Sequence, residues 1–331
     1  LSQTGLLARV PLPTADNQNQ PERGRRSASS PAPAAGSAAD LVACSVQTTA
    51  RATIGAVTSA GRMIRMSVIE IPAGPSASAG SAEGVLAAGH PVAEFVAGLA
   101  DGETVLALAS LDGGESAGVA LGTASGVVKR VQPDYPANRD EFELITLKED
   151  DRVVGAAYLT GEDAELVFIT SEAQLLHFPA SSVRPQGRPA AGMAGVRLDD
   201  GAGVVWFGAI GPAARVPGTG TGPAADPAAE AVVVTVAGRS DALPGTGGGS
   251  VKVTPFSEYP AKGRATGGVR CQRFLKGEDG LVQAWIGPAP VFGATETGVI
   301  VDLSEMTGRR DGSGNAITRT LAHLGTPFRA P

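Results

Sequence analysis

The chain carries its potential chemistry in cations set beside glycines. Arg9, Arg65, Lys129, Arg130 and Lys252 fall on short apolar runs that follow a Thr/Ser turn. Arg188, Lys262, Arg264, Arg309 and Arg310 fall in the glycine-rich stretches behind such runs, of which SEYPAKGRATGGVRCQRF at 257–274 is the fullest. A guanidinium grips a phosphate through two parallel N–H bonds, and a glycine beside it lets the backbone approach and add its own N–H groups. Cations that recur at corresponding places point to a partner with a regular phosphate backbone, held through that backbone rather than through its bases. In the 257–274 stretch, Lys262 and Arg264 are the expected phosphate contacts and Gly263, Gly267 and Gly268 the points of close approach.

Other chemistries find less support. His90, His177 and His323 lie apart, without a cysteine or an acid partner, and His177 stands where other runs carry Arg or Lys, which reads as a surface position. SAEGVLAAG and SDALPGTGGGSVKV lack the G-x-x-x-x-G-K-[ST] spacing of a phosphate loop. The paired carboxylates sit in turns and keep no calcium-loop spacing. Cys44 and Cys271 lie far apart in strand-like runs and read as buried thiols rather than as a disulfide or zinc site. Aromatics are 4% of the chain, with Tyr135, Tyr259, Phe142 and Phe274 scattered, so a stacking platform for single strands is not expected and a duplex fits better. With 27 Lys and Arg against 33 Asp and Glu, the net charge is 27 − 33 = −6, which excludes a uniformly basic binder and makes any basic surface local.

The elements that would position these cations repeat. A strand, a Thr/Ser turn usually closed by glycine, and a second strand recur as LSQTGLLARV, AVTSAGRMIRM, LGTASGVVKRV, FITSEAQLLHF and FGATETGVIVDL, with a stretched copy in VVVTVAGRSDALPGTGGGSVKVTPF. An acidic turn leading into an apolar strand recurs as AADLVACSV, LADGETVLALA, LKEDDRVVGAAY, LDDGAGVVWFG and LKGEDGLVQAWIG. A basic glycine loop follows the hairpin in SSVRPQGRPAAGMAGVRL and LSEMTGRRDGSGNAITRT, as in the 257–274 stretch. Six such units of roughly fifty-five residues each fit the range of propeller blades, so the expected architecture is all-β and radial. The pattern spans 1–331 as one domain, with Ala/Pro/Gly/Ser-rich loops near 13–39, 73–84 and 212–230. A turn of helix is expected only near 85–100. The last strand is expected to pair with the first unit and close the ring. The opening LSQTGLLARV has no initiator Met or signal-peptide organisation, and no run approaches membrane-spanning length. The chain therefore reads as a soluble, cytoplasmic piece of a longer polypeptide.

The order of the hairpins, with GVVKRV, ELVFITSEAQLLHFPASSVRPQGRPAAGMAGVRL and SVKVTPFSEYPAKGRATGGVRCQRF, resembles the C-terminal β-pinwheel domain of bacterial type IIA DNA topoisomerase A subunits, those of gyrase and topoisomerase IV. The resemblance implies a six-bladed, propeller-like β-pinwheel whose basic rim binds and bends duplex DNA. It implies that the domain itself is not an enzyme and needs no cofactor. The catalytic tyrosine would lie in a breakage-reunion domain preceding Leu1, and ATP and magnesium would be used by the B subunit of an A2B2 holoenzyme at the nucleoid. Gyrase A subunits carry a Q-R-R-G-G-K-G box after the first hairpin, and QPERGRRSASS stands here, so Arg23, Arg25 and Arg26 keep its basic character without its pattern. Supercoiling and a topoisomerase IV-like relaxing and decatenating role both stay open. The competing expectation is a protein-interaction propeller without nucleic-acid function, which the −6 charge favours.

Overall fold

The computed structural model describes residues 1–11, 36–74, 84–111, 116–211, 231–242 and 248–328. Most of the three expected loops therefore lies outside the described residues. The first unit contributes β1 (Leu6–Leu7), and the second β2 (Thr53–Thr58), β3 (Arg62–Ser67), β4 (His90–Pro91) and β5 (Val105–Ser110). The third contributes β6 (Gly118–Thr123), β7 (Val127–Val131), β8 (Glu141–Glu143) and β9 (Val153–Leu159). The fourth holds β10 (Glu165–Thr170), β11 (Gln174–Pro179), β12 (Pro185–Gln186), β13 (Met193–Ala194) and β14 (Val204–Ile210). The fifth runs through β15 (Ala231–Gly238), β16 (Gly249–Pro255), β17 (Val269–Arg270) and β18 (Gly280–Pro288). The last has β19 (Phe292–Ala294), β20 (Ile300–Asp302), β21 (Asn315–Ile317) and β22 (His323–Gly325). Among the described residues these strands form six sheets.

Local chemistry sets the hairpins. In five turns the residue at the i+3 position donates its N–H to the carbonyl of a Ser or Thr: Gly5 to Ser2, Gly61 to Thr58, Gly126 to Thr123, Ala173 to Thr170 and Gly298 to Thr295. In four of them the hydroxyl accepts the next N–H, from Leu6, Val127, Gln174 and Val299. All five i+3 residues have positive φ, between 58° and 83°, which glycine adopts freely and Ala173 adopts under strain. Two of the acidic turns lock onto the hairpins. Asp151 accepts the N–H and hydroxyl of Ser125, and Asp279 those of Ser240.

Among the described residues, five of the six sheets take an edge strand from the following unit. The strand after an acidic turn pairs with its own hairpin, β5 with β2, β9 with β6, β14 with β10 and β18 with β15, and β22, which has no acidic turn before it, pairs likewise with β19. The outer edge is supplied by the following unit: β4 pairs with β1, β8 with β3, β13 with β7, β17 with β11 and β21 with β16. The strands paired inside their own unit touch one another in sequence, β5 to β9 to β14 to β18 to β22. They line a central channel of about 1410 Å3 together with residues 42–47.

The hairpins are covered on both faces, so their strands read as unbroken apolar runs. In β10, Leu166 and Phe168 point into a cluster shared with β6 and β7, while Val167 and Ile169 join one shared with β15 and β18. The last cluster, Ala38, Leu41, Phe292 and Ala294, ties β19 to the first unit. There Leu41 pairs with Pro327, and Val42 N–H donates to the Thr326 carbonyl at 3.0 Å. The end segments therefore pair as expected, but β22 itself completes the last sheet rather than the first. The helical turn expected near 85–100 is replaced by turns, β4 and a three-residue 3-10 turn, Val92–Glu94. Pro91 withholds a donor there, and Gly89 packs with its Cα so close to Leu7 that a Cβ would stand 2.7 Å from the Leu7 carbonyl oxygen.

One ion pair braces the second unit. Arg62 Nε and Nη2 donate to the two oxygens of Glu103 at 2.8 and 2.5 Å, and Nη1 to Glu141 at 2.7 Å. Bonding to Arg62 holds the Glu103 carboxyl down at about 2. A folded value below the ordinary 4.5 means that this stabilisation is complete above about pH 4.5 and is lost as pH falls towards 2. Glu103→Gln is expected to cost about 1–3 kcal/mol at neutral pH and to flatten the stability profile in that acid window, measured by urea unfolding across pH.

Candidate nucleic-acid interface

Register defines which cations correspond. Lys129 opposes Leu121 and Lys252 opposes Thr235, the same rung of their hairpins, which Ile64 and Leu176 fill in the other two. The next rung holds Arg65, Arg130, His177 and Val253. A β-bulge at the same point of the first strand, Val57/Thr58, Gly122/Thr123, Ile169/Thr170 and Val236/Ala237, fixes this alignment.

These rungs do not face a partner. Lys129, Arg130 and Lys252, expected as phosphate contacts, are 0%, 1% and 0% exposed. The reason is that both faces of the hairpins are covered, so their charges are met inside the protein. Arg130 donates to both oxygens of Glu162, at 2.5 and 2.8 Å, and to the carbonyls of Ala180 and Val183. Lys129 and Lys252 each donate to three main-chain carbonyls. Burial pushes both ammoniums down to about 8. His177, expected at the surface, is buried too, with one ring nitrogen 3.0 Å from Glu165 and the other 2.9 Å from the Tyr259 carbonyl. Arg65 and Arg9 are half-buried. Arg65 donates to the Pro136 carbonyl and shares the Phe142 ring with Arg188, whose guanidinium carbons stand 6.0 and 5.4 Å from its centroid.

The loops behave differently. Those that carry Arg188, Arg264 and Arg310 cross to a neighbouring sheet and deliver its outer strand, so they lie on the outer edge of the molecule. Each ends on a glycine that no other residue could replace without a clash. A Cβ on Gly192, Gly268 or Gly314 would stand 2.8, 2.4 or 2.9 Å from the carbonyl oxygen of Val128, Leu175 or Val251 on the receiving strand. Counting back from that glycine, Arg188, Arg264 and Arg310 occupy one equivalent position, four residues earlier. Lys262 and Arg309 are exposed on the same loops, and Arg188, Arg264 and Arg310 are half-buried, as Arg9 and Arg65 are. Arg23, Arg25 and Arg26 lie outside the described residues.

Two exposed arginines join this set without having been singled out by their sequence. Arg197 lines a cleft of about 480 Å3 with Lys262, Thr266, Gly267 and Gly268, and Arg270 is the last residue of β17. The repeated Gly-Val-Arg in MAGVRL and GGVRCQ is the signal that could have found both. Among the described residues no group of three or more His, Cys, Asp or Glu is placed to hold a metal, and no helix is long and apolar enough to cross a membrane.

A ring of strand-exchanged sheets with arginine-bearing crossover loops is the architecture of a β-propeller of the pinwheel kind. Residues 56–81, 143–159, 164–210 and 245–284 match the family described as DNA gyrase C-terminal domain, beta-propeller. It is 30% identical over 115 residues to the DNA gyrase A subunit of Chlamydia pneumoniae, covering 34% of this chain and 14% of that one. It is 28% identical over 215 residues to the DNA gyrase A subunit of Escherichia coli K12, covering 64% of this chain and 20% of that one. The chain thus spans about a fifth or less of the length of these relatives. In fold it is similar to the C-terminal domain of DNA topoisomerase IV, with a TM-score of 0.62 and 21% identity over 84% of this chain and 79% of that one. It is also similar to the DNA gyrase A C-terminal domain, with a TM-score of 0.56 and 15% identity over 84% and 83%.

Proposed function

We propose that the chain is the DNA-binding domain of a type IIA topoisomerase A subunit, which grips duplex phosphates along its outer crossover loops and bends the duplex around the rim. The observation that carries this reading is the recurrence of Arg188, Arg264 and Arg310 at one position of three equivalent loops, each closed by glycine. Contacts of this kind read the backbone and its deformability, not base edges. On this reading the breakage-reunion domain of the same subunit cleaves DNA, and a B subunit supplies ATP hydrolysis and magnesium chemistry in an A2B2 holoenzyme at the bacterial nucleoid in the cytoplasm. This domain acts without a cofactor of its own.

The departure of QPERGRRSASS from the gyrase box supports the topoisomerase IV-like branch, in which the duplex is bent without stable wrapping. The test is to bind the protein to a relaxed circle, close the circle and measure its writhe. Binding to duplex of any sequence, weakening with salt and leaving little writhe, is the expected result. A large writhe change would favour gyrase-like wrapping. Failure to bind duplex even at low salt would favour the protein-interaction propeller, which the net charge of −6 supports.

A further inference from the structure

We propose that Lys129 and Lys252 are positioning residues that latch the DNA-contacting loops onto the neighbouring sheet, an inference that rests on the duplex-binding reading above. Lys129 Nζ donates to the carbonyls of Leu144, Arg188 and Ala190 at 2.7, 2.7 and 2.6 Å. Lys252 Nζ donates to those of Arg309, Arg310 and Gly312 at 2.9, 2.7 and 3.0 Å. An ammonium has three donors, and in both cases all three are used.

The two cages correspond. The lysines stand on the same rung of their hairpins, and two of the three carbonyls match when counted back from the closing glycine. Arg188 and Arg310 lie four residues before Gly192 and Gly314, while Ala190 and Gly312 lie two before. Each lysine belongs to the sheet that receives an outer strand, and these matching carbonyls belong to the loop that delivers it. The buried charge therefore joins lender and borrower at the place where the arginines leave the surface.

Electrostatics explains why a lysine suits this place. A carbonyl oxygen aimed outward would repel a phosphate, so a loop meant to meet one must turn its carbonyls elsewhere. Burying them against a fixed positive charge does so, and in a low-dielectric setting the ammonium holds them strongly. The Arg309 side chain remains free to face out, at 87% exposed, while Arg310 Nη1 donates to the Arg270 carbonyl at 3.3 Å. The loop at 262–268 supplies the contrast. Its receiving strand has Leu176 where the others have lysine, and there the Arg264 guanidinium itself donates to the Ala194 carbonyl, while Lys262 N–H donates to that of His177. Without a lysine, that loop is held by these two bonds instead.

The experiment compares the whole chain with Lys252→Met, with Arg309→Ala/Arg310→Ala, and with the three changes combined, measuring affinity for a duplex against salt concentration. Two phosphate contacts are worth a slope of about 1.8 in log affinity against log salt. Lys252→Met is expected to lower the slope by up to about that amount, and to add nothing further once Arg309 and Arg310 are gone. Equal losses from Lys252→Met in both backgrounds, or an unchanged slope, would overturn the latch alone. A wild-type slope for Arg309→Ala/Arg310→Ala would overturn the duplex reading of this loop, and the latch with it. Should Lys252→Met fail to fold, Gly308→Ala decides: its Cβ would stand 2.8 Å from Lys252 Cδ and 2.9 Å from Cγ, displacing the ammonium without removing it. A reduced slope at an unchanged melting temperature supports the latch, and a wild-type slope overturns it.

Discussion

Gly155→Val will force neighbouring sheets apart and cost the fold more than about 4 kcal/mol, a loss reserved for backbone collisions and broken cores. A Cβ on Gly155 would stand 2.1 Å from the Phe207 carbonyl oxygen and 3.1 Å from its Cβ. Gly155 lies on β9 and Phe207 on β14, each held by a ladder to its own hairpin. Neither backbone can retreat without breaking that ladder. Gly122 offers a comparison, because its added Cβ would meet the Phe207 side chain, 2.2 Å from Cγ and 2.7 Å from Cβ, rather than its carbonyl group, and a side chain can shift further than a laddered backbone. Gly5→Ala is the control for backbone strain alone. At Gly5 φ is +82° with nothing within 4 Å of a Cβ, so about 1 kcal/mol is expected. Urea unfolding of the three variants should rank Gly155→Val far below Gly122→Ala, and both below Gly5→Ala. A Gly155→Val protein within about 1 kcal/mol of wild type would mean that the sheets are not joined along β9 and β14.

The second large effect concerns the outer loops. Reversing Arg188, Arg264 and Arg310 together to glutamate is expected to weaken duplex binding on the order of 10³-fold at about 0.1 M salt. Three phosphate contacts carry a salt slope of about 2.7, which alone amounts to several hundredfold at that concentration, and repulsion adds to it. The control reverses Arg51, Lys148 and Lys276, which are exposed but lie off these loops. Both triple variants change the net charge by the same six units, from −6 to −12. A filter-binding or anisotropy titration should show a far smaller loss for the control. Equal losses would mean that binding follows total charge and that the loops have no special role in it.

What could be read in advance was what depends on neighbours in the chain. The turns Thr58–Gly61, Thr123–Gly126 and Thr295–Gly298 announce themselves because a hydroxyl, a carbonyl and a positive φ three residues on are all local. The inner strands were equally legible as apolar runs behind acidic turns. The outer strands were not. Glu141–Glu143, Met193–Ala194 and Val269–Arg270 are two or three residues long and show no period, so only the receiving strand defines them. The same gap hid the fate of Lys129, Arg130 and Lys252. Lysine and arginine are ordinarily exposed, and nothing in VVKRV or SVKVT says that a loop some sixty residues ahead will bring carbonyls to meet them. Arg188, Lys262, Arg264, Arg309 and Arg310 kept their outward place because the glycines beside them mark the crossover itself.

The borrowed edges also decide how the molecule bears tension. On the proposed duplex-binding reading, a duplex bent against the rim would store elastic energy of about 1–6 kcal/mol and pull outward on whatever holds it. The loop carrying Arg310 leaves from β20 and docks on β16, so a pull on it is divided between two sheets; the exchange repeats through the other units, and the bridge between Leu41 and Pro327 joins the last unit to the first. Such a rim carries load as a hoop does, around its circumference, and no blade has to resist the recoil of the DNA alone.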